Sequence, residues 1–225
     1  MTLGWSVPAR LVRWVSSAAI TVAVCRALAG RWDLPWMWAT AGVGSLGALV
    51  LMLAIDPDLA RERRRPGPGG FDRFSRTAIA ICVGAEGIFA LLDVGRWHWS
   101  DHVPVAVHVA SLTLFALGFG VVVWAIWVNR FFSSVVRIQT DRGHQLVTAG
   151  PYRYIRHPGY LGMLLAYPVI GLAIGSWWTL VPGAIGMAVV LRRMLVEDGH
   201  LQQHLPGYRE YVSAVPGRLI PRVWR

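Results

Sequence analysis

Lysine is absent from this 225-residue sequence: all 22 basic side chains are arginine. Charge of either sign is scarce, at 15% of residues, while 55% are hydrophobic; a soluble domain carries about 25% charged residues. That is too little polar surface to coat a water-soluble globule, so a compact soluble enzyme is excluded, and the apolar content excludes disorder and collagen. Cysteine is limited to Cys25 and Cys82, each inside an apolar run and without CxxC spacing. A disulfide framework and a thiolate metal site are therefore excluded, and no metal is expected. The start MTLGWSVPAR lacks a short apolar core followed by a small-residue cleavage site, so no removable signal peptide is expected. What is abundant points the same way: the 12 Trp and 24 Gly suit membrane interfaces and membrane helices. The expected fold class is an all-α integral membrane bundle.

A spanning helix needs about 20 mostly apolar residues. Four stretches qualify, at about 11–30, 35–55, 77–95 and 104–128. After a polar segment, about 159–175 and 177–194 read as a helical hairpin turned at Gly175 and Ser176, giving five to six transmembrane helices. The chain shows no internal repeat and no soluble segment long enough to fold alone, so 1–225 reads as a single membrane domain. The net charge of +10 does not imply nucleic acid, because the arginines fall between apolar stretches, where they set topology. With a cytoplasmic N-terminus, 19 of the 22 arginines lie inside: Arg10 and Arg13, six between 61 and 76, five between 130 and 156, and six from 192 onward. Arg31 and Arg96 lie outside, and Arg26 falls within the first span. Both termini are thus expected in the cytoplasm.

Polar chemistry gathers in two patches on that side. The first is HQLVTAGPYRYIRHPGYLG, His144 to Gly162. Gly150 and Pro151 mark a turn, and a helix is expected to begin at Pro158, because a proline disfavours helix in the residue before it. The free N–H groups of that helix start, flanked by His157 and Tyr160, suit a carboxylate. For any one of these residues, a place in a membrane-interface belt is the better account; for the whole string it is not. The second patch, RRMLVEDGHL, puts Arg193 and Glu197 four apart on one helix face, where they can pair. Glu86 and Asp93, seven apart in the third span, point the same way. Asp93 reads as interfacial, and Glu86 as either helix–helix glue or part of a substrate cavity.

The string LVTAGPYRYIRHPGYLG, followed by Arg193, Glu197, Asp198 and the tail LPGYREYVSAVPGRLIP, closely resembles the isoprenylcysteine carboxyl methyltransferase family of integral membrane enzymes. The resemblance covers about 137–221; the first four spans, within 1–128, match in character alone. It implies S-adenosylmethionine-dependent carboxyl methyl transfer in a cytoplasm-facing pocket, with 129–225 as the cofactor-binding catalytic region. On family likeness His144, Gln145, Leu146 and Val147 line the cofactor, joined by Tyr152, His157, Pro158, Gly159 and Tyr160. Gln139 falls near a further family cofactor position, across a loop of different length. Glu197 matches the acid that holds cofactor, and Arg193 the residue that meets the acceptor's carboxylate. Asp198 departs from the second Glu common in the family.

The residue types agree with that chemistry. The donor needs an anion site, an acid or carbonyls for its ammonium, and apolar walls for its adenine, for which Tyr152 and Tyr154 are candidates. Displacement at a methyl group needs positioning and desolvation and no metal, and an arginine orients a carboxylate through two parallel contacts. The implied partner is a lipophilic small-molecule or prenylated substrate drawn from the membrane lipid. A GC-rich bacterium, suggested by the lysine-free composition, implies a multi-pass inner-membrane protein. There a small isoprenoid or lipid acid is as good a candidate as a prenylcysteine. Two alternatives share parts of the pattern: phospholipid amine N-methyltransferases, and NADPH-dependent sterol-type reductases with HPNYxGE. Against the reductase, Gly159 stands in place of the Asn and Met163 in place of the acid. A non-enzymatic transporter would rest mainly on Glu86.

Overall fold

The computed structural model describes residues 6–221, which are helical apart from their loops. Residues at either extreme, including the end of the amphipathic piece GRLIPRVWR and the first half of MTLGWSVPAR, lie outside the described residues. The helices are α1 (Val7–Ala29), α2 (Pro35–Ala54), α3 (Pro57–Arg64), α4 (Arg73–Leu92), α5 (Val105–Val128), α6 (Pro158–Ala166), α7 (Ile170–Ile174), α8 (Leu180–His204) and α9 (Tyr208–Ala214). Proline sits in the first turn of α1, α2, α3 and α6, where its missing N–H costs nothing and its fixed φ suits the helix. Asp56 caps α3 by accepting from the Asp58 and Leu59 amides.

Five segments are long and apolar enough to cross a membrane: Val7–Ala29, Pro35–Ala54, Arg73–Trp97, Val105–Val128 and Trp177–His204. The sixth apolar arm, Pro158–Ile174, is shorter, and Pro168 interrupts it with a tight turn at Tyr167–Val169. The hairpin turn nevertheless reaches the far end of the bundle. Ser176 donates to Asp93 at 2.5 Å and the Trp177 amide to Ser100 at 3.0 Å, while Gly175 turns with φ 127° against His108. Asp93, expected as an interfacial residue, is instead fully buried. It also accepts the Trp99 and Ser100 amides and the Ser100 hydroxyl, which makes it the lock of that end.

Both arms start from one turn, so the shorter one ends early. The 28 residues of Trp177–His204 outrun the 17 of Pro158–Ile174 by about 16 Å at 1.5 Å per residue. The start of α6 is therefore recessed, with the last three turns of α8 overhanging it. The close α5–α6 contact that seats this recessed helix depends on two glycines. A Cβ on Gly118 would come within 2.6 Å of the Gly162 carbonyl, and one on Gly162 within 2.5 Å of the Gly118 carbonyl. Small residues of this kind let membrane helices approach closely. Glu86 lies on the opposite side of α6–α7, buried beside Pro168, Gly183 and the Gly171 backbone. It packs against these helices and lines none of the described cavities, and its Oε2 is buried without a hydrogen-bond partner.

Three polar stretches meet at the arginine-rich end: 57–76, 129–157 and 192–221. Arg137 pairs with Glu62 at 2.8 Å, Arg142 with Asp58 at 2.6 Å and Arg192 with Asp72 at 2.8 Å. Phe71 and Val136 exchange backbone hydrogen bonds at 3.1 and 3.3 Å. The arginines expected on one side thus do gather at one end, but many of them are spent on these pairs.

Candidate active site

The recess above α6 is a cavity of about 300 Å³, at the small end of the range for ligand pockets. Of the expected site residues, Gln139, His144, Gln145, Leu146, Val147, Tyr152, His157, Gly159, Tyr160, Arg193 and Glu197 all line it. Pro158 does not: it is buried beneath, at the first position of α6. Tyr154, a candidate wall for an adenine, points outward and is 65% exposed.

Each wall has a local cause. On one side the loop 129–147 wraps inward because buried Arg137 is held by Glu62 and Asp141, while Arg142 ties Gln139 to α3 through Asp58. The Glu62 hydrogen bond and then the Asp141 one hold the Arg137 guanidinium above its ordinary range, so it stays charged. Gln139 also donates to the Phe131 carbonyl at 2.6 Å, and its amide donates to His144 Nδ1 at 3.2 Å. Burial, with Arg137 and Arg142 nearby, pushes His144 down to about 4. His144 is therefore neutral at pH 7, and because Nδ1 accepts, Nε2 carries the proton. Its ring lies against Phe131 with centroids 4.6 Å apart.

On the α6–α8 side the expected Arg193–Glu197 pair is not formed directly. Tyr160 stands between them: its hydroxyl donates to Glu197 Oε2 at 2.6 Å and accepts from Arg193 Nε at 3.0 Å. The rest of the Arg193 guanidinium donates to the Ser134 and Asp72 carbonyls at 3.0 and 3.2 Å, with Asp72 Oδ2 at 3.8 Å. The acid nearest Arg193 is thus Asp72, from the start of α4.

Asp198, next to Glu197, faces the other way. It accepts from Arg156 at 3.1 Å, Tyr208 at 2.9 Å, Gln202 at 3.0 Å and Arg218 at 3.0 Å, with His157 Nε2 at 2.9 Å. It is buried and lies outside the cavity lining, so the shorter acid serves a structural hub. The hub ties the tail to the recessed helix start, since the His157 and Arg156 amides donate to the Arg218 and Gly217 carbonyls at 3.0 Å each. Tyr208 and Tyr211 close the roof, and Tyr211 donates to the Tyr152 carbonyl at 2.6 Å. Burial raises the Tyr152 and Tyr208 phenols far above their usual range, keeping both neutral.

Sequence reading missed the wall from the N-terminal half. Arg63 on α3, with Arg76 and Ile79 on α4, lines the same cavity, although both arginines read as topology markers. Arg76 had one sequence signal, its place in the first turn of α4, where the helix dipole disfavours cations; Arg63, in the last turn of α3, had none.

Residues 106–206 match the family model described as phospholipid methyltransferase. Protein-S-isoprenylcysteine O-methyltransferase B of Arabidopsis thaliana is 31% identical over 99 residues, covering 40% of this chain and 47% of that protein. Two probable protein-S-isoprenylcysteine O-methyltransferases, from Oryza sativa subsp. indica and subsp. japonica, are each 45% identical over 40 residues, 18% of this chain and 21% of theirs. Over these stretches the chain is similar to protein-S-isoprenylcysteine O-methyltransferases. It spans about half the length of the Arabidopsis relative and about a fifth of the rice ones in these matches. The methyltransferase match runs from the start of α5 to just beyond α8. It takes in most of the cavity but leaves out Arg63, Arg76, Ile79 and the roof tyrosines Tyr208 and Tyr211.

Proposed function

We propose that this chain is an S-adenosylmethionine-dependent carboxyl O-methyltransferase acting on a lipophilic, isoprenoid- or prenylcysteine-like acceptor, with its site facing the cytoplasm of a bacterial inner membrane. The observation that carries this reading is convergence. Residues from Gln139 to Glu197, taken from a loop, a recessed helix start and an overhanging helix, line one cavity at the end where the apolar spans stop.

The donor set fits the methyl donor. Glu197 accepts Tyr160 on one oxygen, which leaves the carboxylate fixed and able to receive an ammonium. The His144 Nε2–H and the first-turn amides of α6 offer donors for a carboxylate and for adenine nitrogens. Tyr152, Leu146, Leu205 and Tyr208 supply apolar walls. The donor's contribution when bound is a methyl group on a positively charged sulfur.

The chain's own work is positioning. The fork of Arg193 holds an acceptor carboxylate. Tyr160 fixes Arg193 relative to Glu197, so acceptor and donor subsites are set from one hydroxyl. The tail, clamped by Asp198, covers the site and excludes water. The description of the matching family model favours a second reading, in which the acceptor is a phospholipid amine. Calorimetric titration of the purified protein with S-adenosylhomocysteine and, separately, NADPH tests the reading. Binding of the former alone supports it; binding of NADPH alone overturns it in favour of a reductase.

A further inference from the structure

The cavity carries more positive charge than its own acids balance. Five arginines and one carboxylate, Glu197, line it. Arg137 and Arg156 are spent on Glu62, Asp141 and Asp198. Arg63 and Arg76 make no ion pair among the described residues, and Arg63 has only the Phe132 carbonyl, at 3.0 Å, and the face of that ring, at 5.4 Å. Asp72 does not serve them. Its Oδ1 is taken by Ser75 and Arg192, and its buried Oδ2, with no hydrogen bond, is turned toward Arg193. The packing around half-buried Arg63 lowers its guanidinium below the ordinary value, and Arg193 and Arg76 lower it further, as three cations sharing one space do. Arg76 also sits in the first turn of α4 with no acid beside it in that turn, a cost to the helix with no return inside the protein. Just past these cations the wall turns apolar, at Ile79, Met163 and Tyr167.

We propose that Arg63 and Arg76, with Arg193, form an anion subsite that selects an acceptor amphiphile of net negative head, its chain running along Ile79, Met163 and Tyr167. This rests on the methyltransferase reading and names its substrate class. Half-buried Arg63, with no acid of its own, is served by a ligand anion, and exposed Arg76 adds its charge from the solvent side; arginine forks match carboxylate and phosphate alike. A positively charged sulfur in the neighbouring subsite adds to the surplus, so a zwitterionic head would bring a further cation into a positive field. A phospholipid amine is therefore the disfavoured acceptor. Arg63 and Arg76 lie outside residues 106–206, the stretch that matches the methyltransferase family model, so the preference belongs to this chain's N-terminal half.

The test uses the full chain in dodecyl maltoside and four twelve-carbon probes: dodecanoate, dodecyl phosphate, dodecylphosphocholine and dodecanol. Affinities are read by thermophoresis, with S-adenosylhomocysteine titrated in parallel. Both anions should bind at least tenfold more tightly than the zwitterion and the alcohol, a margin of about 1.4 kcal/mol. Arg63→Gln and Arg76→Gln should each cut that margin to about threefold or less, while Arg63→Lys should keep most of it. Equal binding of all four heads by the unsubstituted protein would overturn the subsite, as would an unchanged margin in both glutamine variants. Exposed Arg76 carries the test alone if Arg63→Gln does not fold. Failure to bind S-adenosylhomocysteine with the anion margin intact would strike the methyltransferase reading and leave the subsite. A vanished margin with S-adenosylhomocysteine still bound would do the reverse.

Discussion

The Tyr160 hydroxyl donates to Glu197 Oε2 at 2.6 Å and accepts from Arg193 Nε at 3.0 Å. One buried phenol thus separates a carboxylate from a guanidinium that, one helical turn apart, would otherwise neutralise each other. Each charge keeps ligand-binding capacity that a direct ion pair would consume. Tyr160→Phe should let the two collapse together and lower both cofactor affinity and turnover, whereas a phenol that served only packing would leave both unchanged.

Glu197→Ala should weaken S-adenosylhomocysteine binding tenfold or more, about 1.4 kcal/mol, by calorimetry. Unchanged affinity would remove Glu197 from the cofactor subsite. His157→Ala should weaken it as much, and also loosen the tail, because His157 meets buried Asp198.

Arg193→Lys keeps the charge and loses the planar fork. Turnover should fall steeply while S-adenosylhomocysteine affinity stays within about threefold. A large loss of cofactor affinity instead would mean that Arg193 acts through Tyr160 on Glu197.

Asp198→Asn removes the acceptor shared by Arg156, Arg218, Tyr208, Gln202 and His157. Breaking a buried charge cluster costs about 3–5 kcal/mol, so the melting temperature should drop by about 6 °C or more. A melting curve that overlays that of the unsubstituted protein would show the hub to be dispensable.

His144 titrates near 4 when folded, against 6.5 when exposed. Between these values the unfolded chain binds more protons, so stability is lost as pH falls from about 6.5 toward 4 and is independent of His144 above that window. His144→Gln should flatten the pH dependence of the melting temperature between pH 6.5 and 4.5 and leave it unaltered at pH 7.5. An identical slope in both proteins would contradict the buried, neutral imidazole.

Reporter fusions at residue 68 and at the C-terminus should both read cytoplasm. The 57–76 and 192–221 stretches meet at one end of the bundle through Arg192 and Asp72, so opposite readings would contradict the structure as well as the arginine distribution.

The sequence by itself determined the membrane bundle, the start of α6 at Pro158, the turn at Gly175 and eleven of the residues that line the cavity. These are local properties: hydropathy over 20 residues, the backbone limits of proline and glycine, and a motif contiguous from His144 to Tyr160. Direction was beyond its reach. Glu197 and Asp198 are neighbours in sequence, yet about 100° of helical rotation sends one into the cavity and the other into a buried hub. Asp93 reads as interfacial until Ser100 and Ser176 are folded onto it. Arg63 and Arg76 read as topology markers because a charge count along the chain cannot tell an arginine that meets an acid from one that does not. That distinction is made by contacts between residues more than 50 positions apart, which form only when α3 and α4 close against the loop after α5. Tertiary structure alone therefore decided which cations were left for a ligand.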